Sequence, residues 1–310
     1  RRTSQYKIKP FSFFETCDYY KTFSYEEKAL IYGLTSGIPL YLSLFREDKS
    51  LKQNIIDIFL SSNGYLFEEP TNLIKQECRD PSTYNSIIQA IALGATKLSE
   101  ISNQVGIETG LCTTYIKKLI SLGIIIKDTP IYKPSKKQTI YLLADHMFQF
   151  WYKFVLPNIS LINMGMGDRV YKKIEPHFYE FMGYIFEDIC KQYLWLLNIH
   201  EELPLFFLKL GRWWGNDTRI KAEAEIDIVA YNDENQILIG ECKWRNEDTD
   251  KKVLDKTIFR SELFSFLNKY IYLFSKSRFS SYCLEYAKNN PSVHLITFED
   301  IIKAYELNKS

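Results

Sequence analysis

Apolar positions recur at helical spacing through the first part of the chain and at strand spacing through much of the last part. Stripes at i, i+3, i+4 and i+7 predict helices within residues 1–78 and 79–122. An apolar stripe then predicts a long helix over 176–198. Alternating runs predict a strand at 203–214 and a two-stranded hairpin, before a helix containing 261–267 and a strand at 269–275. Alternation of helices and strands favours an α/β layer structure for this last part.

Local signals support the helices. Ser24 and Glu27 have the spacing of a capping box, which predicts that a helix begins there. Between 79 and 122 three short helices are expected, and the third carries an apolar stripe of Leu111, Tyr115, Leu119 and Leu122. Two apolar runs, at 124–126 and 138–142, then predict a small hairpin. Three helices followed by a hairpin are typical of a winged helix-turn-helix, which binds DNA through its third helix.

Basic and hydroxyl side chains follow the polar side of this third helix and the loop of the hairpin. Residues 110–140 hold six lysines against the single acid Asp128, a local charge of +5. Duplex DNA attracts such a surface, and hydroxyl and ammonium groups suit phosphate oxygens and base edges. A solvated face on a domain that contacts protein is the alternative. The candidate DNA-binding residues are Thr114, Lys117, Lys118, Ser121, Lys133, Lys136 and Lys137.

The predicted hairpin of the last part carries acids inside apolar runs. Asp227 lies in Ile-Asp-Ile-Val, and Glu241 precedes Lys243 by two residues on the next strand, so that both project to one face. Glu225 competes with Asp227, because alternation places the two on the same face. A buried carboxylate needs a compensating cation, and two carboxylates with a lysine can bind a hard divalent ion. A structural ion pair is the alternative.

The chain carries an Asp on one strand and Glu-x-Lys on the adjacent strand, and its predicted elements follow the order α-β-β-β-α-β. This arrangement resembles the PD-(D/E)XK nuclease superfamily, most of all its Holliday-junction-resolvase branch. The resemblance implies that Asp227, Glu241 and Lys243 are catalytic and that Asp227 and Glu241 bind Mg²⁺ or Mn²⁺. Many members carry an extra acidic ligand on the preceding helix, where this chain has Glu187. For Arg212, strand-end packing is favoured over contact with a phosphate.

The run Tyr-Gly-Leu-Thr-Ser-Gly-Ile-Pro-Leu-Tyr-Leu at 32–42, with Arg1-Arg-Thr and Lys9-Pro-Phe, resembles the helical lid that ends the archaeal-type (AAA/STAND-like) ATPase module. That family has Gly-Gly-Ile-Pro, and Ser36 replaces its first glycine. Such ATPases often carry a winged helix and a nuclease-like domain. The resemblance implies an ATPase domain before Arg1 that binds ATP, with DNA and that domain as partners; a homo-oligomer stays open.

Composition limits the function classes. A net charge of +1 over 310 residues excludes a globally basic DNA-binding protein, so contact must use local patches. The six cysteines and four histidines are dispersed, which argues against a zinc site or a disulfide framework. No apolar stretch is long enough for a membrane span, and a cytoplasmic protein is expected.

We therefore predict an α/β protein of four segments: a helical lid at 1–78, a winged helix at 79–150, a connection at 151–175 that includes a flexible Gly165-Met-Gly167, and a nuclease-like domain at 176–310. Metal-dependent cleavage of DNA is the expected activity. A DNA-binding regulator without catalysis, or a protein-contact module of an ATPase with a degenerate nuclease fold, are the alternatives.

Overall fold

The computed structural model describes residues 9–309. The chain divides into two units, one built from Arg1–Ile126 with Leu142–Pro176 and the other from Lys127–Tyr141 with His177–Ser310. The Arg1-Arg-Thr motif lies outside the described residues. Within 9–309, no helix combines the length and the apolar character that crossing a membrane requires.

The first unit begins with short helices. They are α1 (Phe13–Tyr19), α2 (Tyr25–Thr35), α3 (Pro39–Leu42), α4 (Leu51–Phe59) and α5 (Glu69–Glu77). The capping box that begins α2 is confirmed: the Glu27 backbone N–H donates to the Ser24 hydroxyl at 3.3 Å, and the Ser24 backbone N–H donates to the Glu27 carboxylate at 2.8 Å. Each bond satisfies a backbone donor that would otherwise have no partner.

The turn between α2 and α3 requires the glycine at position 37. Ser36 has φ +51° and Gly37 has φ +70°, so two successive residues are left-handed, a conformation that favours glycine. A Cβ on Gly37 would lie 1.9 Å from the Phe11 carbonyl oxygen. Ser36 is held by its hydroxyl, which donates to the Asp145 carboxylate at 2.5 Å.

The next elements follow the order expected from the sequence. They are α6 (Pro81–Ala92), α7 (Leu98–Val105), α8 (Thr109–Ser121), β1 (Ile125–Asp128) and β2 (Ile140–Leu143), with β1 and β2 paired. The buried side of α8 consists of Cys112, Ile116 and Leu119, whereas Leu111 is 49% exposed. The prediction that Leu111 belongs to the apolar stripe was wrong, because packing of α8 against α6 and α7 centres the buried side one residue later.

The first unit ends with α9 (His146–Phe150), α10 (Ile159–Asn163) and α11 (Gly167–Ile174). Residues between α9 and α10 form π- and 3₁₀-helical turns, and Pro157 lies in the latter. The connection expected to be flexible at Gly165-Met-Gly167 leads directly into α11. Gly167 is buried at the start of α11, and a Cβ there would lie 2.3 Å from the Leu60 carbonyl oxygen, so this glycine permits close helix packing.

The second unit is a sheet with helices on both faces. Its elements are α12 (Phe178–Ile199), β3 (Lys209–Asp217), β4 (Ala222–Tyr231), β5 (Gln236–Lys243), α13 (Lys251–Ser261), β6 (Asn268–Ser275), α14 (Ser281–Asn289), β7 (Val293–Thr297) and α15 (Phe298–Asn308). Within the described residues the sheet has five strands in the order β3-β4-β5-β6-β7. β3, β4 and β5 are antiparallel, and β5, β6 and β7 are parallel.

Alternating side chains of the strands build two apolar layers. Ile237 and Ile239 of β5 lie in a buried cluster with Leu254 of α13 and Cys283 of α14. On the other face, Tyr193 of α12 contacts Phe274 of β6. The central strands are therefore buried on both sides, as in other sheets that helices cover on both faces.

Two predicted boundaries in this unit were wrong. The strand expected at 203 begins at Lys209, because the Asn198 amide binds both the N–H and the carbonyl of Phe207 at 3.0 Å and leaves neither for a ladder. The helix expected over 261–267 is α13, which begins after the N-cap Asp250 and ends at Ser261. The residues after Ser261 leave the helix, and Phe264 enters the core.

Candidate active site

The candidate site lies where β4 and β5 pair. Ile228 pairs with Gly240 and Val229 with Ile239, so that the predicted hairpin is present. Glu241 and Lys243 come at the carboxyl end of β5, in register with Leu273 and Ser275 of β6. In open α/β sheets this end of the strands is where ligands bind.

A β-bulge positions Asp227. Gly211 of β3 pairs with Val229 and Trp213 pairs with Ile226, so Asp227 and Ile228 of β4 oppose the single residue Arg212 of β3. A bulge re-aims side chains and interrupts their alternation. Glu225 and Asp227 both lie near Glu187, as the expectation of a shared face requires, but they differ in burial. Glu225 is exposed, whereas Asp227 is partly buried.

Asp227 is tied to the strand that carries the other two residues. Its Oδ2 accepts a hydrogen bond of 2.8 Å from the backbone N–H of Cys242, which lies between Glu241 and Lys243. Burial raises the pKa of Asp227 to about 7, with smaller contributions from the nearby charges of Glu187 and Glu241. A carboxylate that is this costly to ionise would gain strongly from a bound cation.

Glu241 is held by two cations. Its side chain is only 7% exposed; Oε1 lies 2.7 Å from Nζ of Lys243, and Oε2 lies 3.4 Å from the Arg260 guanidinium on α13. Nζ of Lys243 also donates to the Cys242 carbonyl at 3.1 Å. Lys243 thus occupies both an oxygen of Glu241 and the backbone carbonyl beside it.

Glu187 projects from α12 toward the same region. Its Oε2 lies 3.5 Å from Nε of Arg212 and 3.8 Å from Nζ of Lys191, and burial raises its pKa. Arg212 also pairs with Glu225. Its Nε is buried and, among the described residues, makes no hydrogen bond. Arg212 therefore pairs with Glu187 of the site and with the exposed Glu225, and it is more than strand-end packing.

Sequence reasoning missed Lys191 and Arg260. Lys191 follows Glu187 by four residues, a helical spacing that favours ion pairs and could have identified it. No local signal could have identified Arg260, because its contact with Glu241 depends on how α13 packs against β5.

The donor set fits a hard divalent cation, subject to one condition. Asp227, Glu241 and the Cys242 carbonyl offer the oxygen ligands that Mg²⁺ prefers, and the raised pKa of Asp227 indicates a charge that the protein only partly balances. Within 9–309, however, no group of three or more His, Cys, Asp or Glu side chains is arranged to hold a metal ion. Lys243 would have to release Glu241 and the carbonyl before a cation could use them.

The candidate DNA-binding residues divide between the two units. Thr114, Lys117, Lys118 and Ser121 are exposed on α8 of the first unit. The hydroxyls of Thr114 and Ser121 donate to carbonyls of their own helix. Lys133, Lys136 and Lys137 are also exposed, but they lie on the segment Lys127–Tyr141 of the second unit.

Part of the chain matches a known family model. Residues 151–254 match DUF234, described as archaeal and bacterial proteins of unknown function. This span includes Glu187, Asp227, Glu241 and Lys243, whereas Arg260 lies beyond it.

Two proteins are similar to this chain over longer ranges. The uncharacterized protein MJECL04 of Methanocaldococcus jannaschii is 33% identical over 279 residues, which cover 87% of this chain. The chain spans 60% of the length of that relative. The crystal structure of VC1899 from Vibrio cholerae aligns with a TM-score of 0.32 and 12% identity, over 79% of this chain and 54% of that one. A likeness this low carries no conclusion about the present fold or site.

Proposed function

We propose that the second unit is a divalent-cation-dependent phosphodiesterase that cleaves DNA and is built like the PD-(D/E)XK nucleases. One observation carries the proposal. Asp227 on β4 is hydrogen-bonded to the backbone between Glu241 and Lys243 on the adjacent strand β5. Two carboxylates and a lysine are thereby joined at the carboxyl end of a strand, where ligands of α/β sheets bind.

In this mechanism Asp227 and Glu241 would hold Mg²⁺ or Mn²⁺, with Glu187 as a further oxygen ligand. When bound, such a cation would supply a water of lowered pKa and positive charge next to the phosphate. Lys243 leaves Glu241 and directs its ammonium group to the attacking water or to the negative charge that develops on the phosphate. Arg212 and Arg260 hold Glu187 and Glu241 in place during this exchange.

In the same proposal, a winged helix formed by α6, α7, α8, β1 and β2 presents DNA through Thr114, Lys117, Lys118 and Ser121. An ATPase domain that precedes the helical lid would bind ATP and remodel the DNA. The left-handed turn at Ser36 and Gly37 supports the lid assignment, since a Gly-Gly motif suits that backbone. ATP binding by the longer protein is the direct test of this part.

Cleavage of a mixed panel of duplex, single-stranded and branched DNA in the presence of Mn²⁺ tests the activity. We expect the wild type to cut at least one substrate and Asp227→Asn to cut none. Glu234→Gln is the matched control, because Glu234 is an exposed acid in the turn of the same hairpin. Equal activity of wild type and Asp227→Asn would assign cleavage to a contaminant and reject the site.

A DNA-binding regulator without catalysis is the second candidate. It is favoured by Lys243, which binds both Glu241 and the Cys242 carbonyl and so blocks two of the proposed ligands. Titration calorimetry with Mn²⁺ separates the candidates. Heat of binding that Asp227→Asn abolishes supports the enzyme, whereas DNA binding without any Mn²⁺ binding supports the regulator. A protein-contact module, the third reading, requires that DNA does not bind at all.

A further inference from the structure

The segment between β1 and β2 is fixed to the edge of the five-stranded sheet. We call residues 127–141, which include the last two residues of β1 and the first two of β2, the lysine loop; it belongs to the second unit. The backbone N–H of Ile131 donates to the Arg212 carbonyl of β3 at 3.0 Å. Gln138 and Trp214 exchange two hydrogen bonds of 2.9 Å, each from a side chain to the other residue's carbonyl. These bonds attach the lysine loop to β3 at both ends.

Apolar contacts complete the attachment. The Tyr132 ring lies 5.4 Å from the Tyr231 ring, 5.5 Å from Phe264 and 5.4 Å from Phe266. Ile131 packs on Gly211, where a Cβ would lie 3.2 Å from its Cδ1. Aromatic pairs at such separations stabilise packing beyond the area they bury. The lysine loop is therefore part of the sheet unit rather than a projecting wing.

The outer side of the lysine loop is basic. Lys127, Lys133, Lys136 and Lys137 are all exposed, and among the described residues none of them has an acidic partner. Nζ of Lys133 lies over the Tyr132 ring at 5.1 Å. The single acid of the loop, Asp128, accepts a hydrogen bond from the next backbone N–H. Four positive charges thus face solvent on a fixed backbone.

Strand β3 connects this surface to the candidate site. The residue whose carbonyl accepts from Ile131 is Arg212, and its guanidinium contacts Glu187 of the site. A polymer bound at the site would have its phosphates close to this edge of the sheet. Ammonium groups on flexible stems bind phosphates without reading bases.

From these contacts we infer that the lysine loop binds the backbone of duplex DNA on the flank of the phosphodiester at the candidate site. The inference rests on the proposed function, because it concerns the substrate of that site. It assigns Lys133, Lys136 and Lys137 to the cleaving unit, not to a wing that acts with α8.

Binding of the full chain to a fluorescent 20-base-pair duplex at several salt concentrations tests the inference without cleavage, in buffer containing EDTA. The variant Lys133→Gln/Lys136→Gln/Lys137→Gln should lower the affinity for DNA. It should also flatten the slope of the logarithm of the binding constant against the logarithm of the salt concentration by about 2 to 3 units. Lys252→Gln/Lys256→Gln/Lys288→Gln is the matched control, since it removes three exposed charges from α13 and α14 of the same unit. The control should leave the slope unchanged.

A slope that is unchanged in the loop variant, or equally flattened in the control, overturns the inference. Competition by polyglutamate as effective as competition by duplex DNA also overturns it and indicates an acidic protein partner. If the wild type cleaves, the loop variant should raise KM and leave kcat within about twofold. This is expected because contacts to the DNA flank stabilise the bound substrate and the transition state equally. If the wild type does not cleave, the proposed function fails, while the binding slopes still decide the role of the lysine loop.

Discussion

Replacing Lys243 by alanine separates a catalytic lysine from a structural one. Nζ of Lys243 lies 2.7 Å from Oε1 of Glu241, whose side chain is 7% exposed, whereas the side chain of Lys243 is 30% exposed. After the substitution, Glu241 keeps one cationic partner in this structure, Arg260 at 3.4 Å. The buried carboxylate of Glu241 would therefore lose the closer of its two cationic partners.

The magnitude follows from burial. Breaking a fully buried ion pair costs about 3 to 5 kcal/mol, because the remaining charge is desolvated and unpaired. Here Arg260 remains and Lys243 is partly exposed to solvent, so we expect a loss of about 2 kcal/mol, a factor of about 30 in the folding equilibrium. Lys303→Ala is the control; it breaks an exposed pair with Glu299 that solvent screens, so it should cost much less stability than Lys243→Ala.

Urea unfolding in EDTA measures both losses. The double variant Lys243→Ala/Glu241→Gln should recover much of the stability, because it removes the unpaired charge, and the cycle isolates the pairwise energy. Cleavage assays and Mn²⁺ calorimetry on the same proteins test catalysis. A catalytic Lys243 is required for cleavage but not for binding of the cation. A loss no larger than that of Lys303→Ala would refute the ion-pair reasoning. A large loss together with no Mn²⁺ binding by the wild type would instead make the motif structural.

Three further predictions concern other parts of the molecule. Asp227→Asn should abolish Mn²⁺ binding in calorimetry, since an amide is a poor ligand for a hard cation. The substituted side chain still offers an oxygen that accepts from the Cys242 N–H. Retained Mn²⁺ binding would exclude Asp227 as a ligand. Tyr132→Ala should lower the free energy of unfolding by about 2 to 3 kcal/mol through loss of three ring contacts, and a change below about 0.5 kcal/mol in urea melts would contradict the attachment of the lysine loop. Burial raises the pKa of Asp145 above that of an unfolded aspartate, so the protonated side chain favours the folded state. This contribution to stability is fully present below the pKa of an unfolded aspartate and is lost as pH rises through the folded pKa. Asp145→Asn should therefore gain stability relative to wild type as pH increases, and parallel stability curves from acid to neutral pH would show that Asp145 is not costly to ionise.

Several features follow from the sequence by itself, because local interactions determine them. The capping box at Ser24 and Glu27 begins α2 where the residue types predict. Strand alternation and the short turn at 232–235 place Glu241 and Lys243 on one strand and Asp227 on its neighbour. Gly37 lies in a left-handed turn that leaves no room for a Cβ. Each signal acts over a few residues, so no distant contact can easily override it.

Contacts between distant residues decided the rest. The pairing of β3 with β4 creates the bulge at Asp227 and brings Arg212 to Glu187, while the packing of α13 brings Arg260 to Glu241. The hairpin loop expected to serve a winged helix is fixed to β3 by Ile131, because apolar groups on the sheet edge can bury it there. Such outcomes depend on which surfaces meet, and composition or periodicity within one segment carries no information about its partner. The sequence therefore determined the acidic residues and the lysine of the candidate site, and the tertiary structure determined the charges that surround them.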